Sequence, residues 1–371
     1  MLHSQRRRTL AVLTAGGLVL AAAVAAAPAS SGAVSADHSR AGEEFKQTNL
    51  ISDLSDQGAQ VVDPALKNPW GLALSATSPV WVSDNGTGLA TVYSVGAGGA
   101  SVTKLGLTVT VPPVGSSPTG QVFNGGAGFV VTTAAGSGPA RFIFSSESGQ
   151  ITGWNPAAAP TAAQVAFASP TAVYKGLTIA TGDAGTFLYA SNFHDGTVDV
   201  FDSTFKPVAT AGGFNDRALP KGYAPFGIQD LNGLIYVTYA KQDAAKHDDV
   251  AGEGHGFIDV FTTNGFLVER LASRGELDSP WGLAIAPSSF GRFGGALLAG
   301  DFGDGRINAY DPFSGHFLGQ LRNQQGKPLT IDGLWGLTFG TASTGGTGTL
   351  LFSAGINGEA DGLFGAITPS S

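Results

Sequence analysis

The chain has 371 residues, of which 43% are hydrophobic and 13% charged, and its formal net charge is −8. Such a composition supplies a large hydrophobic core and excludes an intrinsically disordered protein. The acidic balance argues against nucleic acid and anionic lipid as partners, because both are bound through Lys and Arg. The chain has no cysteine, which excludes disulfides and thiolate metal sites.

The first 36 residues have the pattern of an export signal. Arg6, Arg7 and Arg8 precede an uncharged Ala/Leu/Val/Gly run over residues 10–27, and small residues follow up to Ala36. This order predicts a secretory signal peptide at 1–36 that is cleaved, followed by a loose arm at 37–44. We therefore expect a secreted, extracellular protein with no membrane attachment after cleavage.

A repeat of about 50 residues runs through the rest of the chain. Its landmark is a short aromatic or polar lead followed by a glycine and apolar residues, and successive glycines lie 49 to 56 residues apart. Periods of this length indicate solenoids or propellers. The six landmark glycines are Gly71, Gly120, Gly176, Gly227, Gly282 and Gly336.

Each copy also contains a glycine turn between two strand-like segments, as at Asn85-Gly86, Asp195-Gly196 and Asp304-Gly305. Glycine suits these hairpin turns because it adopts positive φ at low cost. A unit of strand, strand, turn, strand and weaker outer strand is typical of a propeller blade. The sequence predicts an all-β fold: a six-bladed β-propeller of four-stranded antiparallel blades.

The start of the propeller predicts how the ring closes. The sixth copy ends after its third strand, whereas residues 45–51 alternate like a strand and precede the first copy. We expect this N-terminal strand to join the last blade, because closure removes an open sheet edge. Residues 45–371 would then form one propeller domain, which we expect to be a monomer.

Four segments resemble an uncharacterised exported bacterial propeller family related to the NHL-repeat proteins. They are DPALKNPWGL at 63–72, WVSDNGTG at 81–88, SPWGL at 279–283 and GDGRINA at 303–309. The resemblance covers essentially the whole chain after the signal and implies the fold and export. It implies no reaction and no catalytic residues, so function has to be argued from the site.

In a propeller, the loops that lead into the innermost strands and the turns between the second and third strands meet around one channel mouth. Asp84, Asn192 and Asp301 each end a second strand, so they are our candidate metal ligands. Oxygen ligands of this kind suit Ca²⁺, the one cofactor we consider. The alternative is that Asp and Asn serve there as turn residues.

The same face supplies candidate ligand-binding residues. Asn68 and Lys175 lead into innermost strands, and the fourth copy has a long polar turn that contains His247, Asp248 and Asp249. Long loops of this kind are often functional, so we expect this turn to be a divalent metal site or a lid over the mouth, and the alternative is a solvated flexible loop. Trp70, Trp281 and Trp335 share one repeat position, which predicts packing between blades.

Three functions fit these observations. The first is a secreted propeller whose polar, acidic mouth binds a small molecule, saccharide or peptide. The second is a calcium-dependent, lactonase-like hydrolase or lyase, with His194 as the candidate general base. The third is a cell-surface scaffold for other proteins, which would expose a large apolar patch on the sides of its blades.

Overall fold

A computed structural model describes residues 44–113 and 115–370. These residues form six antiparallel sheets and one additional two-stranded hairpin. The described residues contain no α-helix, and their two short 3-10 helices lie at Ala97–Gly99 and Gly291–Phe293. No helix among them has the length and apolar character needed to cross a bilayer. The predicted signal peptide and nearly all of the predicted arm lie outside the described residues.

In the first three blades, four strands follow one another from the innermost to the outermost as predicted, and only blade 2 has an insertion between its strands. Blade 1 comprises Pro69–Ala73, Val80–Asp84, Leu89–Val95 and Val102–Thr110. Blade 2 comprises Pro118–Phe123, Phe142–Ser146, Gln150–Trp154 and Gln164–Ala168, with the extra hairpin Val130–Thr133 and Gly136–Pro139 inserted after its first strand. Blade 3 comprises Tyr174–Gly182, Gly185–Asn192, Thr197–Phe201 and Pro207–Val208.

The remaining blades repeat this order, and the last one takes its outer strand from the start of the described chain. Blade 4 comprises Tyr223–Leu231, Leu234–Lys241, Gly256–Thr262 and Leu267–Ser273. Blade 5 comprises Pro280–Ile285, Leu297–Asp301, Ile307–Tyr310 and Phe317–Gln320. Blade 6 comprises Leu334–Phe339, Leu350–Ala354, Leu363–Pro369 and Phe45–Ser52, beside which the short strand Val61–Val62 runs parallel.

Ring closure occurs as the sequence predicts. Phe45–Ser52 pairs antiparallel with Leu363–Pro369, from Phe45 opposite Pro369 to Ser52 opposite Leu363. Phe45 is fully buried and packs against Phe290 of blade 5, with 4.9 Å between the ring centres. The strand therefore both covers the edge of blade 6 and contributes to the core between blades 5 and 6.

The six landmark glycines explain why the innermost strands can approach the axis so closely. A Cβ added to Gly71, Gly120, Gly227, Gly282 or Gly336 would lie within 2.5 Å of a backbone atom in the next innermost strand. At Gly176 the corresponding distance is 3.0 Å. The contacts run from each blade to the next and return from blade 6 to blade 1, so the ring is closed by backbone packing.

Buried hydroxyl groups join neighbouring blades at the level of these glycines. Ser191 Oγ accepts the Gly176 N–H at 2.7 Å and donates to the Phe226 carbonyl of the next blade at 2.6 Å. Thr238 and Ser353 make the equivalent pairs of bonds from blades 4 and 6. Each hydroxyl therefore satisfies a backbone group in both of the blades that it joins.

Candidate functional site

Beneath one end of the ring, the residues that precede the landmark glycines meet on the axis. Trp70 and Trp335 stack with 3.5 Å between ring centres, and Trp281 meets both of them edge-on at about 6 Å. Phe226 and Phe302 pack against Trp335. The tryptophans are thus packing residues, as predicted, but they pack across the axis as well as between neighbouring blades.

Lys175 occupies the same repeat position as these aromatic residues, and its side chain is only 2% exposed. Its Nζ lies 5.2 Å from the ring centre of Trp70 and 5.9 Å from that of Phe193. Nζ donates to Glu147 Oε1 at 2.5 Å and to Asp248 Oδ1 at 3.4 Å. A buried ammonium group requires such partners, because desolvation of an unpaired charge is costly.

The long turn of blade 4 brings Asp248 to Lys175. A bridge between Gln242 and Asp249 closes the turn, and the Asp243 N–H donates to the Asp248 carbonyl at 2.8 Å. His247 Nδ1 lies 2.8 Å from Asp248 Oδ1. The turn therefore has defined internal bonds and lies over the axial aromatic residues.

Amide side chains link these groups to blades 1 and 6. Asn68 Nδ2 donates to Glu359 Oε2 at 2.7 Å, and Asn68 Oδ1 accepts the indole N–H of Trp335 at 3.1 Å. Asn85 Nδ2 donates to Glu147 Oε2 at 3.0 Å. We call the connected set the charged mouth; its members come from five blades and are Asn68, Asn85, Glu147, Lys175, Asp248 and Glu359.

The carboxyl groups at the mouth differ in their ease of ionisation. Burial opposes ionisation of Asp248, but the charge of Lys175 and the bond from His247 outweigh it and hold its pKa below the ordinary value. Burial raises the pKa of Glu359, and the nearby negative charge of Glu147 adds to that rise. Burial also raises the pKa of Asp249, whose Oδ2 is buried without a hydrogen-bond partner. The mouth thus holds more acid than Lys175 neutralises.

The three candidate metal ligands lie on three different blades, and no hydrogen bond joins any two of them within the described part of the chain. Asp84 is fully buried, neither of its carboxylate oxygens has a partner, and burial raises its pKa well above the ordinary value. Asn192 donates to Asp195 and Asp199 of its own blade, and Asp301 accepts from Asn308 of its own blade. A joint metal site formed by these three residues stays a prediction.

A different group has the spacing of a metal site. Oxygen or nitrogen atoms of Glu147, His247 and Asp248 all lie within 4.8 Å of one another. Carboxylates suit Ca²⁺, and a neutral imidazole extends the set to transition metals. Two of these residues already bind the Lys175 ammonium, so a metal ion would have to share them with it.

His194, the candidate general base, lies in the turn between the second and third strands of blade 3. It is 38% exposed, and its Nδ1 is 3.0 Å from Asp195 Oδ1. The bond from His194 lowers the pKa of Asp195. Gln242 Nε2 of the long blade 4 turn donates to the Phe193 and His194 carbonyls, so His194 borders that turn. Its role in catalysis stays a prediction.

Comparison with known proteins gives relatives by sequence. No family model matches the chain. It is 31% identical over 339 residues to uncharacterized protein R648 of Acanthamoeba polyphaga mimivirus, covering 88% of this chain and 81% of the relative. It is 32% identical over 341 residues to uncharacterized protein L690 of the same virus, covering 88% and 87%.

Solved structures with a similar fold are propellers of low sequence identity. They include a streptogramin B lyase, with 13% identity and a TM-score of 0.48 over 88% of this chain and 97% of that one. They also include a PQQ-bound aldose sugar dehydrogenase from Streptomyces coelicolor, with 14% identity and a TM-score of 0.48 over 88% and 99%. Similarity at this level carries no inference about activity.

The sequence relatives bear on the resemblance noted from the motifs. Both match the chain over most of their own length and are viral proteins, so they do not support the bacterial origin that the resemblance implied. The fold is the propeller that it implied. By sequence, this chain belongs to the family of the mimivirus proteins R648 and L690.

Proposed function

We propose that the protein is a ligand-binding propeller whose charged mouth binds a positively charged group of a small molecule, saccharide or peptide. The observation that carries the proposal is the position of Lys175, whose buried ammonium is held between Glu147 and Asp248 directly above the axial aromatic residues. Side chains from five blades are thereby held in one arrangement, which is the property that a rigid binding site requires.

The charge balance of the mouth supports a cationic ligand. Glu147, Asp248 and Glu359 of the charged mouth, together with the adjacent Asp249, supply four carboxyl groups, whereas Lys175 supplies one ammonium group. The raised pKa values of Glu359 and Asp249 mean that burial destabilises their ionised forms without full compensation from neighbouring positive charge. A ligand ammonium would supply it through charge-assisted hydrogen bonds, which contribute about 1.5–3 kcal/mol each.

A matched pair of probes tests this proposal. Glycylglycinamide carries a free ammonium, whereas N-propionylglycinamide has a methyl group in its place, is otherwise the same molecule and is uncharged. We expect the first to raise the melting temperature of the wild-type protein and the second to have a much smaller effect, with dissociation constants that differ about tenfold or more.

Variants locate the effect. Glu147→Gln combined with Asp248→Asn should abolish the preference for the charged probe. Asp183→Asn is the matched control, because Asp183 is exposed in the turn between the first two strands of blade 3, far from the mouth. Equal responses to both probes, or a preference that survives in the double variant, would contradict the proposal.

A second candidate is a metal-dependent hydrolase or lyase, which the grouping of Glu147, His247 and Asp248 favours. Calcium bound there would polarise a carbonyl group of the substrate. Calorimetric titration with CaCl₂ separates the two functions. Stoichiometric binding that is lost in His247→Ala supports the metal site, whereas no binding to the wild-type protein would contradict it.

We propose that the protein acts after export, as the pattern of its first 36 residues suggests. An expressed full-length chain would then be recovered outside the cytoplasm without those residues. Recovery of an uncleaved chain in the cytoplasm of a secretion-competent host would contradict this part of the proposal.

A further inference from the structure

The end of the ring opposite the charged mouth contains a concave site. There the innermost strands of blades 1, 2, 3, 4 and 6 surround a cavity of about 350 Å³. It shares Leu72, Gln121 and Gln229 with a smaller cavity of about 30 Å³ on the axis, below the aromatic residues. We call the two together the funnel. The larger cavity is within the size range of small-molecule sites.

Gln121 is the unusual residue of the funnel. The residue after the landmark glycine is Leu or Ile in the other five copies, namely Leu72, Leu177, Ile228, Leu283 and Leu337. Gln121 is only 5% exposed, and its Oε1 accepts the Ser83 hydroxyl at 2.8 Å. Its Nε2 is buried without a hydrogen-bond partner.

An unpaired buried amide donor costs about 1–3 kcal/mol, and a partner for Nε2 from outside the protein would offset that cost. The axial cavity has room for a single water molecule, and the wider cavity next to it has room for more. Gln121 lines both cavities, so a shift of its amide group would present Nε2 to a ligand oxygen in the funnel.

The rim of the funnel supplies complementary polar groups. Thr178 Oγ1 accepts the Asp230 N–H at 2.9 Å, which joins blades 3 and 4 there. Asp230 Oδ1 accepts the Gly233 N–H at 2.9 Å, and burial raises the pKa of this carboxyl group. A donor from a ligand would stabilise its ionised form.

The lining of the funnel also narrows the ligand class. Among the described residues that line the two cavities there is no Lys, Arg or His, so an anionic ligand would have no counter-charge. Leu72, Ile179 and Phe339 add apolar walls beside the polar groups. A molecule that carries hydroxyl groups on a compact carbon ring matches both kinds of surface.

We propose that the funnel binds a small neutral polyhydroxylated molecule of monosaccharide size, with Gln121 Nε2 donating to one of its oxygens and Asp230 accepting from one of its hydroxyls. This site is separate from the charged mouth and does not depend on the function proposed there. Binding in the funnel requires no charge on the ligand, whereas binding at the charged mouth requires a positive charge.

Saturation-transfer NMR with glucose, galactose and mannose as separate probes tests the proposal. We expect at least one of the three sugars to bind the wild-type protein at millimolar concentration. Gln121→Met should weaken that binding about tenfold or more, because it removes the donor and keeps the length of the side chain. Asp230→Asn should also weaken it.

Gln164→Met is the matched control, since it makes the same substitution on the outer strand of the same blade, and sugar binding should be unchanged. Gln121→Glu provides a second variant that keeps an oxygen for Ser83 and still removes the donor. A crystal structure with the bound sugar should place a sugar oxygen on Nε2. Failure of all three sugars to bind, equal binding by Gln121→Met, or only a water on Nε2 at saturating sugar would overturn the proposal.

Discussion

Replacement of Gly227 by alanine is the most direct perturbation of the ring. The added Cβ would lie 2.0 Å from the Trp281 carbonyl oxygen and 2.9 Å from Thr238 Oγ1. That oxygen belongs to backbone, so the innermost strands of blades 4 and 5 have to separate. Overpacking of this kind costs about 3 kcal/mol or more. With an unfolding entropy of about 0.7 kcal/mol/K for a domain of roughly 325 residues, the melting temperature should fall by about 4 °C or more.

The other glycines provide a graded series for calorimetry. At Gly176 the nearest atom to an added Cβ is 3.0 Å away, so Gly176→Ala should cost less than Gly227→Ala. Gly106→Ala on the outer strand of blade 1 is the control, because nothing lies within 4 Å of its added Cβ. Equal melting temperatures for the Gly106 and Gly227 variants would refute the explanation of the repeat glycines.

Three further predictions concern ring closure, a buried acid and the mouth. Phe45→Ala should cost about 3–5 kcal/mol in denaturant unfolding, whereas Phe313→Ala, which alters a side chain that is 87% exposed, should cost almost nothing. Burial raises the pKa of Asp84 well above 3.8, so the folded protein retains a proton at pH values where the unfolded chain has released it. The free energy of unfolding therefore falls as the pH rises through this range. In thermal unfolding, Asp84→Asn should therefore raise the melting temperature above that of the wild type at pH 8. At pH values below the pKa of Asp84 in the unfolded chain, the two melting temperatures should be equal. Lys175→Met should raise the pKa of Asp248 in an NMR titration, because it removes the neighbouring positive charge.

The fold was predictable because close packing imposes a strict requirement at one repeat position. Any side chain at that position would hold the innermost strand of a blade away from the next blade. Glycine is therefore needed in every copy, and Gly71 and its five equivalents recur at a regular spacing in the sequence. Ring closure was predictable for a related reason. The sixth copy lacked an outer strand, and Phe45–Ser52 had no copy of its own.

The composition of the mouth was only partly predictable. Asn68, Lys175 and Asp248 were identified from their loops, but the sequence does not show that Glu147 and Glu359 bond to two of them. These contacts join residues separated by 28 or more positions and depend on which turns face one another. The signal that could have found the contact is Lys175 itself, which stands where three other copies have Trp.

Gln121 was missed for a similar reason. The glycine is the residue that recurs in all six copies, and an apolar strand residue is expected after it. A polar residue at one of six equivalent buried positions was the available signal, and its unpartnered amide group is visible only in the folded ring.

A crystal structure of the protein soaked with glycylglycinamide tests the central claim most directly. We expect electron density for the ligand over Lys175, with the ligand ammonium within hydrogen-bonding distance of Asp248 or Glu359. A ligand bound anywhere else on the protein, or a calcium ion between Glu147, His247 and Asp248 after a parallel soak in CaCl₂, would contradict it.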